Sequence, residues 1–508
     1  MKKLLAEEIR ARCEAGKQFL STFAETDRNF CRRLIDSRGE ALLGHDGSNL
    51  TPQGNTVPQE VPEGLINWLG TNLRIKQYAV GINEPRFKVE HPDPLGAQIV
   101  EEDMKKRWRD YGWMDIARRT YLRATTSGMA FVFVRWHDDR PHIELVDSWH
   151  VIVDPSVTSN TWNRMRYCGR TIFMPLEEAV ETYGRRYFED TLKDGEEDAL
   201  RPPVEITVYF DREEEVHLYR DEVLHRDKNL YGDLPLIIDK GDDNLLSTFY
   251  LGDVAQALGI QSQIDVMTQS LNNIARNGRS VTFVDASAVD ESQQEQLQNG
   301  EEEGFIFVEG MTAKEAVYRL PAEPPSAAQL ESLSMMMRGM DSVTGVTDYQ
   351  RGTPTDSGRT ATEAAIIGQQ SGARGVANRK RFEALVDAMA RWAVRLVALF
   401  GRVETDEDFE FWSACNNVED ISVVEASTSF RDPAFEQQSA LQLLQLAVQV
   451  YPVMMQTGVQ LKLEAFLDDA LRAYHRQDVD RYRTVGPPML PMGAGGEEGL
   501  PPEMAQAA

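Results

Sequence analysis

The chain has 508 residues, 42% hydrophobic and 27% charged, which is the composition of a folded protein with room for several domains. Its formal net charge of −27 argues against a protein that wraps nucleic acid, because wrapping needs an excess of Lys and Arg over phosphates. The same charge is compatible with a surface past which DNA slides, since an acidic wall repels phosphates.

The cysteines and apolar runs indicate a protein of the reducing cytoplasm. Cys13, Cys31, Cys168 and Cys415 form no CxxC pair, so we expect buried, reduced thiols. The first apolar run ends at Glu7, which does not predict a signal peptide. No run approaches the roughly 18 apolar residues of a membrane span, so no membrane partner is expected.

The first 240 residues predict helices followed by two groups of strands. Helical spacing covers residues 3–38, the helix beginning at Leu65 and residues 96–127, with a short strand at Phe87 and Val89 between the last two. Alternating runs then follow, in the order "MAFVFVRW", "HIELVD", "HVIVDP", "VEITVYF" and "EEVHLYRDEVLH". Residues 80–240 are therefore predicted to form an α+β domain.

The centre of the chain predicts two long helices separated by a small insert. Apolar residues recur at helical spacing over 251–274 and 330–343. Between them lie the strand-like runs "VTFV", "GFIFV" and "AVYRL" and a polar helix, "DESQQEQLQ". Two helices that leave for an insert and return from it are expected to lie antiparallel, with the insert at their far end.

A polar stretch, "GVTDYQRGTPTDSGRTATEAA" (345–365), interrupts the helical pattern and carries no apolar anchor. Thr360 and Glu363 fit a capping box that restarts a helix, which is predicted to run to Phe400 with a kink at its glycines. Beyond it, "FEFW" and "ISVVEASTSF" predict strands. Residues 433–484 predict helix with a break near Pro452, and the Pro/Gly-rich end predicts disorder.

Motifs of common enzymes are missing from the sequence: it contains no GxxxxGK[ST], GxSxG, HExxH or dinucleotide-binding pattern. Two acidic clusters could nevertheless bind a metal. The first comprises His137, Asp138, Asp139, His142, Glu144, Asp147 and His150. The second, Glu213, Glu214 and Glu215, could hold the Mg²⁺ of a nuclease. We favour a two-sided strand with a polar hairpin for the first cluster and a solvated strand face for the second.

Two further groups allow alternative interpretations. The Met-rich "SMMMRGM" suits helix packing, and less well an adaptable binding surface. A basic cluster, unusual in so acidic a chain, contacts either DNA phosphates or a second subunit, or forms a solvated helix face. It consists of Arg374, Arg379, Lys380 and Arg381.

The order of these elements over residues 60–430 resembles that of the portal proteins of tailed bacteriophages. The similar segments are "NWLGTNLRIKQYAVGINEPRFKVEHP", "WMDIARRTYLRATTSGMAFVFVRW", "IELVDSWHVIVDP", "YGDLPLIIDKGDDNLLSTFYLGDVAQALGIQSQIDVMTQSLNN" and "SGRTATEAA". The resemblance implies a mainly helical α+β portal fold with wing, stem, clip and crown, assembled as a ring of twelve copies.

Mapped onto this chain, the resemblance implies the following boundaries. They are an N-terminal helical region (1–60), a wing (61–240, completed by 401–430), stem helices (241–280 and 321–347), a clip (281–320), a tunnel loop with a long kinked channel helix (348–400), a helical crown (431–486) and a disordered tail (487–508).

The implied function is a non-enzymatic channel at one capsid vertex, without metal or cofactor, through which double-stranded DNA is packaged and ejected. Its implied partners are the terminase large subunit, the major capsid and scaffolding proteins, and adaptor or tail proteins. Such a protein assembles in the host cytoplasm and resides in the virion. The alternatives are a metal-dependent nuclease and another virion connector or scaffold protein.

The implied site residues fall in two segments. The clip would dock partners through Glu301, Glu302, Glu303 and Phe305. The tunnel loop would face DNA with flexible residues and two arginines that touch phosphates transiently. Its members are Tyr349, Gln350, Arg351, Gly352, Thr353, Pro354, Thr355, Asp356, Ser357, Gly358 and Arg359.

Overall fold

A computed structural model describes most of the chain up to residue 428 and part of the region beyond it. The described residues are 6–35, 67–189, 203–220, 222–245, 247–277, 281–285, 304–308, 317–320, 326–346, 372–402, 406–425, 427–428, 433–456 and 467. Of some of these residues, including those described within 281–320, only the backbone is described. No helix in these ranges combines the length and hydropathy of a membrane span.

Most of the helices agree with the helical patterns of the sequence, and two of them, at 176–183 and 406–415, were not predicted. They are α1 (Ala6–Ile35), α2 (Trp68–Ala79), α3 (Pro94–Asp110), α4 (Trp113–Ser127), α5 (Leu176–Tyr183), α6 (Asp253–Asn277), α7 (Ala327–Thr344), α8 (Gly372–Phe400), α9 (Asp406–Cys415) and α10 (Pro433–Gln456). Capping residues set the beginnings of two of these helices. Asp93 caps α3 ahead of Pro94, and Ser326 with Gln329 forms a capping box at the start of α7.

The strands form small antiparallel sheets and one mixed sheet. They are β1 (Phe87–Glu90), β2 (Met129–His137), β3 (Arg140–Val146), β4 (Val151–Val153), β5 (Tyr167–Met174), β6 (Val204–Asp211), β7 (Glu214–Tyr219), β8 (Glu222–Lys228), β9 (Leu236–Lys240), β10 (Val281–Asp285), β11 (Gly304–Val308), β12 (Val317–Leu320) and β13 (Asp420–Val423). Five of the strands form an antiparallel sheet in the order β4-β5-β6-β7-β8. In a second antiparallel sheet, β2 lies between β3 and β9.

The turn between β2 and β3 follows from its sequence. Asp138 and Asp139 both have positive φ, 51° and 55°, which is the left-handed conformation that a tight hairpin turn requires at both central residues. Aspartate tolerates this conformation better than most residues because its short side chain bonds locally to the backbone. The polar turn predicted from the sequence is therefore confirmed, and it sets Arg135 opposite His142 on the two strands.

The chain divides into two compact units, residues 1–430 and 431–508. The main core of the first unit is aromatic: Trp108, Trp113, Tyr121, Phe131 and Phe382 are all fully buried. These residues come from α3, α4, β2 and α8, so residues far apart in the chain share one core. The second unit begins at Arg431, where the predicted crown begins, and its described part consists of α10 and residue 467.

Two predictions about the last quarter of the chain are wrong. Residues 409–412 were predicted as a strand but lie in helix α9. There Phe411, Ala414 and Cys415 are buried at helical spacing while Phe409 is exposed. Residues 420–423 do form a strand, β13, which pairs with β1. The predicted break at Pro452 is also not found, because α10 continues to Gln456. A proline removes one hydrogen bond from a helix, and here the helix tolerates this loss.

Helices α6 and α7 lie side by side, and the β10–β12 sheet belongs to the segment that joins them. Val254, Ala257, Ile264 and Met340 are buried in a cluster of their own, to which Leu333, Met336 and Met337 add partly buried surface. Most of the Met-rich segment therefore serves helix packing, although Met335 is 60% exposed. In the joining sheet, β10 pairs in parallel with β11 and antiparallel with β12.

The described cysteines are free and buried, as expected. Burial raises the pKa of the Cys13 thiol to about 12, and it also raises the pKa of Cys168 and Cys415. All three thiols are therefore neutral and unreactive near pH 7. The side chain of Cys31 lies outside the described residues.

Candidate functional site: the base of the helix pair

Most residues that the sequence assigned to a channel or docking site lie outside the described residues. This holds for the whole tunnel-loop set, 349–359, for the capping box at Thr360 and Glu363, and for Glu301–Glu303. The backbone of Phe305 is described, in β11. The described residues nearest in sequence to the predicted loop are the end of α7 and the beginning of α8. We therefore take the end of α7, with the helices packed on it, as the candidate site, and call it the helix-pair base.

Helix α2 holds the end of α7 through a buried polar cluster. The indole Nε1 of Trp68 donates to Asp341 Oδ1 at 2.8 Å, and Asn72 Nδ2 donates to the same oxygen at 3.0 Å. Asn72 Nδ2 also donates to Thr344 Oγ1 at 2.9 Å. Asn72 and Thr344 have no exposed surface, so these bonds replace water that the groups cannot reach. Only two residues separate Thr344 from the undescribed 347–371.

The same helix holds the start of α6. The backbone N–H of Leu69 donates to Gln261 Oε1 at 3.0 Å, and Lys76 forms an ion pair with Asp253. Burial raises the pKa of Asp253, and the ammonium group of Lys76 opposes that shift. Both partners of this pair are largely buried, so removing either one would leave an uncompensated charge. Helix α2 therefore bonds to both helices of the pair at the end away from the β10–β12 sheet.

Helix α8, which follows the predicted loop, is held by an arginine of the basic cluster. Arg381 Nε and Nη2 donate to Asp239 Oδ1 and Oδ2 of β9 at 2.9 and 3.1 Å, and its guanidinium lies over the ring of Tyr121. The Asp239 side chain is only 4% exposed. Such a two-bond contact fixes both the position and the rotation of α8. Arg381 is thus engaged inside its own chain rather than offered to DNA or to a second subunit.

The other members of the basic cluster differ from Arg381. Lys380 is exposed and lies 3.8 Å from Glu425, a surface contact worth little energy. Arg379 is partly buried, and its Nε has no hydrogen-bond partner within the described part of the chain. The side chain of Arg374 lies outside the described residues. Contact with DNA or a neighbouring subunit stays a prediction for Arg374, Arg379 and Lys380.

Two of the three carboxylates considered for a nuclease form hydrogen bonds to neighbouring side chains of the sheet. Glu214 is buried, and both its carboxylate oxygens accept hydrogen bonds from Arg226, at 2.8 and 2.9 Å. Glu215 Oε1 accepts a hydrogen bond from His217 Nε2 at 2.9 Å, and of these three carboxylates only Glu213 is exposed. The prediction of a solvated face is therefore wrong for Glu214, which faces inward because Arg226 on the next strand neutralises it.

The polar cluster at 137–150 is only partly brought together. His137 and His142 are neighbours, with ring centroids 6.2 Å apart, and Glu144 lies on the same face. Asp147 instead forms an ion pair with Arg123, and His150 packs against Trp149 and Phe173. In the described ranges, no group of three or more His, Cys, Asp or Glu side chains is arranged to hold a metal ion.

Comparison with known proteins gave similarity to solved structures alone, since no family model and no curated protein matches the chain. The neck of a native gene transfer agent (GTA) particle, computed with C12 symmetry, is 11% identical with a TM-score of 0.37, covering 74% of this chain and 85% of that chain. The virion of a native GTA particle is 12% identical, with a TM-score of 0.38 and coverages of 75% and 85%.

A third similar structure is the neck of an empty GTA particle computed with C6 symmetry. It is 11% identical with a TM-score of 0.38, covering 77% of this chain and 90% of that chain. At such low identities and TM-scores, no conclusion about function follows from these similarities.

The helix-pair base was missed in the sequence, although a weak signal was present. Trp68, Asn72 and Lys76 are spaced by four residues and therefore lie on one face of α2. An amide and an ammonium group on the same helix face as a tryptophan are not expected on a face that packs only against apolar side chains. This pattern predicts that the face of α2 bonds to specific polar groups elsewhere in the chain. Their identity could not be read from the sequence, because Asp253 and Asp341 are far away in the chain.

Proposed function

We propose that this chain is a portal protein, a non-enzymatic subunit of a ring at one capsid vertex whose channel passes double-stranded DNA during packaging and ejection. The observation that carries the proposal is the helix pair. Two long helices, α6 and α7, pack together along their sides and are joined through a small sheet, and α+β structure adjoins their base. This arrangement supports the proposed assignment of the helix pair to the stem, of the β10–β12 segment to the clip and of the α+β structure to the wing.

The dimensions of the helix pair suit a channel wall. At 1.5 Å per residue, the 25 residues of α6 and the 18 of α7 extend over roughly 38 and 27 Å. Val266, Leu330 and Met335 on these helices remain more than half exposed in the single chain. Apolar side chains on long helices offer lateral contact to neighbouring copies, and a closed ring of twelve copies would cover them.

The fixed base provides a reason for the polar tunnel loop predicted at 349–359. Bonds from α2 and β9 hold the end of α7 and the body of α8, so the described residues on either side of the predicted loop lie on rigid supports. A segment without apolar anchors can then bend around a moving duplex while its two supports stay in place. In this proposal the overall acidity repels phosphates from the channel, and Arg351 and Arg359 touch them briefly.

The remaining parts of the proposal concern partners. In it, the segment containing β10–β12 docks the terminase large subunit during packaging and adaptor or tail proteins afterwards. The ring contacts major capsid and scaffolding proteins while it assembles in the host cytoplasm, and it remains in the virion.

Negative-stain electron microscopy of the purified full-length chain tests the proposal. We expect rings with a central hole, formed without DNA or metal. Single compact particles at every protein concentration would contradict it. Incubation of the same material with plasmid DNA and Mg²⁺ tests the non-enzymatic part, because Mg²⁺-dependent cleavage would support the nuclease alternative instead.

A further inference from the structure

The hairpin of β2 and β3 collects basic groups on one face. Arg135 lies directly opposite His142, and Phe133 lies directly opposite Glu144. Because side chains alternate along a strand, these four residues point to the same side of the hairpin. A fifth, Arg170 of β5, reaches this face: its Nη1 donates to Glu144 Oε2 at 2.7 Å, and its guanidinium lies 5.4 Å from the centre of the Phe133 ring.

The charges on this face do not balance. Glu144 is the carboxylate bound there, and it is already bonded to Arg170, whose side chain is 7% exposed. The Nε of Arg135 has no hydrogen-bond partner among the residues that the structure describes. Two carboxylates, Glu144 and Asp138, act on Arg135 through their charge, but Glu144 is already bonded to Arg170. Two guanidinium groups therefore share one bonded carboxylate on this face, in a protein whose net charge is −27. Such an imbalance at a partly buried position is costly unless something compensates it.

Two nitrogens on this face are buried without hydrogen-bond partners. They are Arg135 Nε and His142 Nδ1, neither of which bonds to anything in the described ranges. A buried donor without an acceptor costs about 1 to 3 kcal/mol. They belong to residues that are paired across the two strands, so one acceptor group placed between them could satisfy both. The shared requirement is for an acceptor with negative charge.

We propose that Arg135 and His142, supported by Arg170, form a binding site for a small oxyanion of the phosphate class. A guanidinium presents several donors in a planar fork that suits the oxygens of phosphate, and an imidazole N–H adds another donor. The proposal does not depend on the portal function. It replaces the metal-site interpretation of the cluster at 137–150, because two guanidinium groups beside His142 and Glu144 would repel a divalent cation.

A free ion fits this site better than the backbone of a DNA duplex. Arg135 Nε and His142 Nδ1 have no contact with solvent, although the rest of each side chain is partly exposed. A small tetrahedral ion can enter beside a side chain that gives way by a rotamer change. A duplex presents its phosphates on a stiff, wide surface and would reach only the exposed edge.

Protonation of His142 links the site to pH. Burial and the positive charge of Arg135 lower the pKa of His142, with Arg170 and His137 acting in the same direction and Glu144 against them. Burial, and then Arg170, also lower the pKa of Arg135, while Glu144, Tyr231 and Asp138 oppose that shift. His142 is thus neutral near pH 7 in the empty site. An anion in the site favours the charged form of His142, so binding of an anion of fixed charge takes up protons and becomes tighter as the pH falls from neutral towards the lowered pKa of the empty site.

Isothermal titration calorimetry of the full-length chain with inorganic phosphate, at constant ionic strength set by chloride, tests the site. We expect saturable binding at pH 6, and Arg135→Gln should weaken it at least tenfold. Phosphate itself changes charge between pH 6 and pH 8, so the pH effect is measured by comparing two chains. His142→Asn should lower the ratio of the affinities at pH 6 and pH 8 relative to the unmodified chain. Arg119→Gln is the matched control: it loses the same charge from an exposed arginine on α4 and should bind phosphate like the unmodified chain.

The stability of the variants keeps the test decisive. Because Arg135 Nε has no hydrogen bond to lose among the described residues, and the substitution removes a positive charge beside Arg170, Arg135→Gln is expected to keep or raise the melting temperature in phosphate-free buffer. Loss of binding would then not reflect unfolding. A lower melting temperature for Arg135→Gln in that buffer would overturn the assignment. So would absence of phosphate binding to the unmodified chain, undiminished binding by Arg135→Gln, or a response to duplex DNA without one to phosphate.

Discussion

At the scale of single residues, Asp154 illustrates how a buried charge is retained. Its side chain has no exposed surface. It accepts hydrogen bonds from Arg166 Nε and Nη2 at 2.7 and 2.9 Å and from the backbone N–H groups of Ser156 and Arg166. Burial by itself would raise the pKa of this carboxyl, but these bonds outweigh burial and hold it well below its usual range.

This lowered pKa predicts acid sensitivity. A carboxyl with a lowered pKa in the folded state contributes stability above its unfolded value of about 3.9, and the contribution is lost as the pH falls towards the folded value. We expect Asp154→Asn to lose about 2 kcal/mol at pH 7 and a smaller amount at pH 3, where part of the contribution of the charge is already gone. Urea unfolding at both values measures this. Equal losses at the two values would show that the charge of Asp154 is not the cause.

The glycines at the two ends of α4 are expected to differ in the stability that each loses when alanine replaces it. Gly112 and Gly128 both have positive φ, 65° and 107°. A Cβ on Gly112 would meet nothing within 4 Å, whereas one on Gly128 would lie 2.1 Å from the carbonyl oxygen of Tyr250. Gly112→Ala should therefore cost about 1 kcal/mol, for backbone strain alone, and Gly128→Ala at least about 3 kcal/mol. Chemical denaturation compares them, and similar costs would contradict the steric argument.

At the scale of elements, α2 joins parts of the chain that lie nearly 200 residues or more away. Its bonds to Gln261 of α6 and Asp341 of α7 hold the two helices at one end, while their buried apolar residues pack along their length. The helical pattern predicted each of these three elements. The polar contacts between them add specificity in position, because a hydrogen bond is directional and apolar packing is not.

Asn72→Ala tests this arrangement. The substitution removes the donor to both Asp341 and Thr344. Asp341 keeps its hydrogen bond from Trp68, but the fully buried hydroxyl oxygen of Thr344 loses the donor from Asn72, so we expect a loss of about 1 to 3 kcal/mol. Thr71→Ala, one residue away on the exposed side of the same helix, should change stability far less. Urea unfolding of both variants gives the comparison. Equal effects in both would mean that the buried cluster contributes nothing specific.

At the scale of the whole molecule, charge and assembly act together. Twelve copies of a chain with net charge −27 would carry a large negative charge, which favours low friction with DNA over tight binding. Arginines that face the channel would then be rare positive groups in an acidic setting. Arg381 is excluded from this role by its ion pair with Asp239. Arg351 and Arg359 remain the proposed channel contacts, and contact with DNA or a second subunit stays a prediction for Arg374, Arg379 and Lys380.

The double variant Arg351→Gln, Arg359→Gln tests the channel role. We expect it to form normal rings, because these residues belong to a polar segment, and to package or retain less DNA because transient phosphate contacts are lost. The matched control is Arg109→Gln, Arg119→Gln, which removes two exposed arginines of the first unit. Genome length in purified particles is the measurement. Full-length genomes in the channel variant would refute the proposed contacts.

The sequence by itself determined most of the helices and strands, because apolar periodicity, capping residues and turn residues act locally. The capping box at Ser326, the two aspartates of the β2–β3 turn and the helical spacing of α6 and α7 all act within a few residues. Periodicity failed at 409–412, where a short apolar run fits helix and strand equally well and packing decided for helix.

Only the tertiary structure decided which polar groups meet. Glu214 was expected in solvent and is buried against Arg226, and Arg381 was a candidate for DNA contact and is paired with Asp239. Arg135 faces His142, and its Nε has no hydrogen-bond partner in the described part of the chain. These outcomes depend on residues brought together from separate strands and helices. An ion pair leaves no periodic pattern in either of its segments, so its partners are known only when the chain is folded.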